Sequence, residues 1–172
     1  MNTADRISVY LGLGSNIGDR QGFLQEAVEL VDDLPGTRVL RTSSIYETEP
    51  WGESDQDSFY NAVVEILTTL PPAELLAAVK NIETRMGRVS TRRNGPRIID
   101  IDILLYGSAV MEDEQLAIPH PFLPQRQFVL TPLRELAGGA LHPVELTTID
   151  EMAVRCPDTA KVWKTDVRLQ LC

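Results

Sequence analysis

The chain has 172 residues, with 16 Lys plus Arg against 25 Asp plus Glu and 43% hydrophobic residues, a balance that fits one compact domain with its own core. No uncharged apolar run approaches the roughly 18 residues needed to cross a bilayer, and Met1 to Arg6 carries no basic-then-apolar leader. A formal charge of −9 repels a phosphate backbone. These features exclude a membrane protein and a non-specific nucleic-acid binder, and leave a cytoplasmic enzyme or binding module, one domain over residues 1–172. Cys156 and Cys172 frame no disulfide or zinc spacing and read as free thiols.

Ile7 to Leu13 alternates apolar and small residues with period two, a strand that stops at Gly14-Ser15-Asn16. Asp19 then stands as an N-cap before a helical stripe of Phe23, Leu24, Ala27, Val28, Leu30, Val31 and Leu34, which ends at Pro35-Gly36. Val39 to Tyr46 and Phe59 to Leu67 are rich in β-branched and aromatic types and read as two strands. A polar loop with Pro50, Trp51 and Gly52 joins them. Pro72 opens a second helix with Leu75, Leu76, Val79, Ile82 and Met86 on one face, and Gly87 closes it. An arginine-rich loop and the apolar strand Ile99 to Tyr106 follow.

This order predicts an α+β fold with a ferredoxin-like split βαβ core, a mainly antiparallel sheet with two helices on one face. Beyond Gly107 the chain is proline-rich through Pro132, a short helix is expected near Leu133 to Ala137, and little is read from the last thirty or so residues.

Chemistry concentrates in two places. Gly12-x-Gly14-x-x-x-Gly18, between a strand and a helix, is either a phosphate cradle or a glycine-built turn for close backbone packing. A doubly wound dinucleotide fold is excluded by the hairpin-like strands after the first helix, and no Walker motif occurs. The second place is more specific. Arg85, Arg88, Arg92, Arg93 and Arg97 crowd one window, either a solvated face or an anion site, directly before Ile99-Asp100-Ile101-Asp102-Ile103. In a strand the two aspartates share one face while the three isoleucines enter the core. Such a pair is either held by the neighbouring arginines or shared by a hard divalent cation; magnesium favours few carboxylates completed by water and phosphate oxygens. Glu83 could orient an arginine, bind a ligand group or lie on the surface. His120, between Pro119 and Pro121, and Arg126 are the next polar candidates.

The run Arg93-Asn94-Gly95-Pro96-Arg97-Ile98-Ile99-Asp100-Ile101-Asp102-Ile103-Leu104 resembles the signature of the 6-hydroxymethyl-7,8-dihydropterin pyrophosphokinase family. Leu13 to Asn16, Tyr46-x-Thr48-x-Pro50, Phe59-x-Asn61-Ala62, Glu83-x-x-x-Gly87-Arg88, Pro119-His120 and Arg126-x-Phe128 look like further family segments in family order, from about Val9 to Leu136. The chain departs from the pattern at Glu49, often a second proline, and at Asn94, in places a tryptophan. The resemblance implies transfer of pyrophosphate from ATP to a reduced hydroxymethylpterin, leaving AMP, in folate biosynthesis. It implies that Asp100 and Asp102 hold two Mg2+ ions, and that Glu83, Arg88, Arg97, Ile103, His120 and Arg126 line the ATP site. Thr48, Pro50, Trp51, Phe59, Asn61 and Phe128 would form the pterin pocket. Arg88 and Arg97, with the two aspartates, would carry catalysis, and no general base stands out. A monomer is expected, with other folate enzymes as candidate partners. The loops Glu47 to Ser58 and Arg88 to Pro96 are expected to act as lids. A nucleotide-sensing or RNA-binding module on the same fold would need neither the aspartate pair nor an aromatic pocket beside Asn61.

Overall fold

The computed structural model describes residues 5–50, 55–89 and 95–171. Among them, β1 (Ile7–Ser15), α1 (Arg20–Asp32), β2 (Thr37–Thr42), β3 (Ser44–Thr48), β4 (Phe59–Thr68), α2 (Pro72–Arg85) and β5 (Asp100–Tyr106) follow the predicted order. The hairpin β6 (Met111–Glu112) and β7 (Ala117–Ile118), the helices α3 (Gln127–Ala137) and α4 (Ile149–Arg155), and the strand β8 (Val162–Arg168) complete the chain. The main sheet runs β5-β1-β4-β3-β8, with β2 also on β4, and all its pairings are antiparallel. This is the ferredoxin-like arrangement.

Local chemistry sets the element ends. The Asp19 carboxylate accepts from the Gly22 amide at 3.0 Å and caps α1. Gly87, at φ +93°, closes α2 in the left-handed region with its amide on the Thr84 carbonyl. The continuous strand expected over Val39 to Tyr46 is broken at Ser43, whose hydroxyl accepts from the Val63 amide at 2.9 Å. The hydroxyl takes a ladder donor, so the strand divides into β2 and β3 on the same partner.

Helices lie on both faces of the sheet, where the sequence predicted one covered face. Val9, Leu11, Leu13, Val64, Ile66, Ile99, Ile101 and Ile103 pack with Leu24 and Val28 of α1 and Leu75, Val79 and Ile82 of α2. Val63 and Leu104 point the other way, into a second core with Leu130 and Leu133 of α3 and Ile149 and Met152 of α4. The predicted short helix at Leu133 is the last part of α3, which starts at Gln127 and contains Pro132. The C-terminal residues supply α4 and an edge strand, β8, paired to β3. No helix among the described residues is long and apolar enough to cross a membrane, and Cys156 is a free thiol.

Candidate active site

At the end of β1 the sheet register sets Gly14 between Asn61 of β4 and Asp100 of β5, and Gly12 between Val63 and Asp102. Neighbouring strands lie about 4.8 Å apart, so Asn61 and Asp100 face the same space from about 10 Å. Gly12 and Gly14 are strand residues, not a turn, and they form the floor of a cleft. A Cβ on Gly14 would stand 2.7 Å from Asn61 Oδ1 and one on Gly12 3.4 Å from Leu104. The missing side chains make the room.

The walls bring together Thr48, Phe59, Asn61, Arg97, Asp100, Asp102, Arg126 and Phe128, with Glu49 at the rim. Asn61 Nδ2 donates to Thr48 Oγ1 at 2.6 Å. That bond fixes the amide flip, so Oδ1 is the atom turned toward Gly14. Pro50, Arg88, Ile103, Glu83 and His120 do not line this cleft, and Trp51 lies outside the described residues, as do residues 90–94 of the arginine loop.

Asp100 is held by one guanidinium on each oxygen: Arg88 Nη1 donates to Oδ1 at 3.1 Å and Arg97 Nη1 to Oδ2 at 3.0 Å. Glu83 supports this pair from behind. It is 3% exposed and accepts from Arg88 Nη1 at 2.6 Å, from the Ile101 amide at 2.7 Å and from Lys80 Nζ at 3.1 Å. Its burial rules out the surface reading, and its bond to Arg88 is what the orienting role requires. Ile103 is turned into the core, as strand alternation requires.

Asp102 has the opposite electrostatics. Burial, and secondarily the Asp100 carboxylate beside it, push its pKa up to about 7. The Lys80 and Arg126 charges act the other way but are outweighed. Among the described residues no group of three or more His, Cys, Asp or Glu could hold a metal alone. A two-carboxylate donor set therefore fits a hard cation that takes its remaining ligands from water and substrate oxygens.

His120 is kept neutral, its pKa lowered to about 4 by burial and then by the Arg126 charge. Its amide donates to the Leu104 carbonyl and its Nδ1 accepts from the Phe122 amide at 3.2 Å. Arg126 lies 4.8 Å from the Phe122 ring and 5.6 Å from the Phe128 ring.

One residue without a predicted role links the loops. Asn16, 4% exposed, donates from Nδ2 to Gln56 Oε1 at 2.9 Å and to the Asp57 carbonyl at 3.0 Å. Its Oδ1 accepts from the Arg97 amide at 2.8 Å, and its own amide donates to the Arg97 carbonyl. The ends of both long loops are thus tied to β1. Arg20 adds a second tie, its guanidinium 3.7 Å over the Tyr60 ring and Nη1 on the Ser58 carbonyl. Asn16 lies in the Leu13 to Asn16 segment singled out by sequence, but spacing carries no signal for partners so far along the chain.

The family model described as 7,8-dihydro-6-hydroxymethylpterin-pyrophosphokinase (HPPK) matches residues 10–138. The chain belongs to the HPPK family. A 2-amino-4-hydroxy-6-hydroxymethyldihydropteridine pyrophosphokinase from Methylorubrum extorquens is 53% identical to it over 150 residues, 84% of this chain and 95% of that one. The Bacillus subtilis protein of the same name is 44% identical over 155 residues, 90% of this chain and 89% of its own. A Plasmodium falciparum HPPK-DHPS structure superposes with a TM-score of 0.72 at 19% identity, covering 90% of this chain and 46% of that chain. At that identity the likeness shows the fold alone. As an HPPK, the chain is a diphosphokinase of folate biosynthesis that transfers pyrophosphate to hydroxymethyldihydropterin with ATP as co-substrate.

Proposed function

We propose that the transfer takes place in the Gly12–Gly14 cleft, with the triphosphate over β5 and the pterin over β4, in a single-domain, cytoplasmic monomer. The row Asp100, Gly14, Asn61 carries this reading: it sets an anion-handling half and a flat, amide-edged half on one floor. In the pterin half, Phe59 and Phe128 offer ring faces while the pinned Asn61 Oδ1 accepts from a ring donor. Pro50 and Trp51 would complete this half, as the family resemblance implies; Trp51 lies outside the described residues.

In the other half, Arg88, Arg97 and Arg126 meet the triphosphate, and Glu83, Ile103 and His120 support them. Arg88 and Arg97 share Asp100, so the phosphate oxygens compete with Asp100 for both guanidinia, and ATP entry releases that carboxylate. Asp100 and Asp102 would hold two magnesium ions, which supply charge neutralisation on the triphosphate oxygens. Arg88 and Arg97 then face the charge that grows as AMP departs, and Phe59, Asn61 and Phe128 aim the hydroxymethyl oxygen.

Protein mixed with ATP, magnesium and reduced hydroxymethylpterin should release AMP in step with pterin diphosphate. Accumulation of ADP instead would overturn the reaction type.

Asn61→Ala should weaken pterin binding by about tenfold, since an unpaired group in a desolvated pocket costs roughly 1–3 kcal/mol, and should leave ATP-analogue affinity unchanged. Titration calorimetry with a non-hydrolysable ATP analogue present measures the pterin step. Loss of nucleotide binding with pterin binding intact would reverse the two halves.

The raised Asp102 pKa gives a pH signature. Below about pH 7 that carboxyl holds a proton, which a cation must displace, so magnesium affinity in the ATP-analogue complex should fall as pH falls through 7 to 6. Calorimetry in buffers of different ionisation enthalpy should find close to one proton released at pH 6 and far less at pH 8. Equal release at both values would show that Asp102 does not take the cation.

A further inference from the structure

The segment between α4 and β8 lies beyond the residues matched by the family model, yet it touches both walls of the cleft. On one wall, α3 starts at Gln127 with Arg126 at the N-cap and no capping side chain of its own. Asp158 supplies the missing acceptor from 31 residues away: its Oδ2 takes the Gln127 amide at 3.0 Å and its Oδ1 takes the Ala160 amide at 2.9 Å. Gln127 Nε2 also donates to the Ala153 carbonyl at 2.7 Å. On the other wall, three residues after Asp158, Lys161 and Glu49 exchange two hydrogen bonds. The Glu49 amide donates to the Lys161 carbonyl at 3.1 Å and the Lys161 amide to Glu49 Oε2 at 3.1 Å. Val162 then pairs with Thr48 as β8 begins.

We infer that Asp158 is a positioning residue for the cleft, fixing the first turn of α3 and with it Arg126 and Phe128 against the Thr48–Glu49 wall. The inference rests on the assignment of Phe128 to the pterin pocket. Arg126 and Phe128 flank the Gln127 amide that Asp158 holds, and both line the cleft. Without the cap the first turn frays, the competent arrangement is populated for less of the time, and apparent substrate affinity falls by the same fraction.

Asp158→Ala should weaken reduced-pterin binding about fivefold, the scale of one lost N-cap. It should leave the rate at saturating substrates within about twofold and speed amide exchange at residues 127–130 while α1 is unaffected. Asp158→Asn keeps an acceptor suited to an N-cap and should restore affinity to within about twofold of the parent. Gln127→Pro removes the donor but suits a first helical position, and in that background Asp158→Ala should cost no further affinity. That cycle also carries the test if the single alanine variant does not fold, and an undiminished loss within it would overturn the proposal. Phe128→Ala, measured alongside, separates the two layers. If it weakens pterin binding and Asp158→Ala does not, the positioning role is wrong; if it has no effect, the pocket assignment itself is wrong.

Discussion

Asp102→Ala should lower AMP release by about a thousandfold and leave the fold at least as stable as the parent. The loss follows from removing one of two carboxylates that can hold the cation, whose action on phosphoryl oxygens is worth several kcal/mol, about 4 kcal/mol being three decades in rate. The unimpaired stability follows from the same side chain. Burial and the neighbouring Asp100 raise the Asp102 pKa from 3.8 to about 7. Between those values the folded state holds a proton that the unfolded state has given up, so this group's contribution to stability falls as pH rises toward 7. At pH 8 it is ionised in both states and the full burial cost is present. Truncation removes that cost. Thermal melts and AMP release should be measured together at pH 8, and a folded variant with near-normal turnover would eliminate the metal site.

Arg97→Ala should reduce the rate at saturating ATP by about a hundredfold, because one donor aimed at charge developing in the transition state is worth about 3 kcal/mol. Asp100 would keep Arg88 on its other oxygen. The Arg97 backbone would keep its two hydrogen bonds to Asn16, so the loop end stays tied. The effect should therefore fall on the chemical step. A raised Michaelis constant for ATP with an unchanged maximal rate would make Arg97 a ground-state binding residue.

Much of the cleft was legible because it is written in strand alternation. Asp100 and Asp102 against Ile99, Ile101 and Ile103, and Phe59, Asn61 and Val63 against Ala62, Val64 and Ile66, separate into the two faces that the structure shows. Caps were legible for the same local reason, as at Asp19 and Gly87. What escaped depends on partners distant in sequence. Glu83 was a candidate with three roles open, and its burial depends in part on the Ile101 amide on another element. β8 is an edge strand with Trp163, Lys164, Asp166 and Arg168 exposed, so one of its faces lacks the apolar stripe that announces a strand. The start of α4 did carry a readable signal, the capping box Thr148-x-x-Glu151. The second covered face follows from α3 and α4 together, and the proline-rich run before them gave no helical period to build on.

Both halves of the cleft inherit their spacing from one backbone ladder, with Gly14 as the shared rung. This gives mutational data on the enzyme a built-in diagnostic. A lesion that twists or slips β1 shifts the nucleotide and pterin contacts together, because a one-residue slip would replace Gly12 and Gly14 with Leu13 and Ser15 beneath both substrates. A variant that loses one substrate and keeps the other therefore cannot owe its defect to a distorted sheet. Selective loss reports a side chain, and joint loss reports the scaffold.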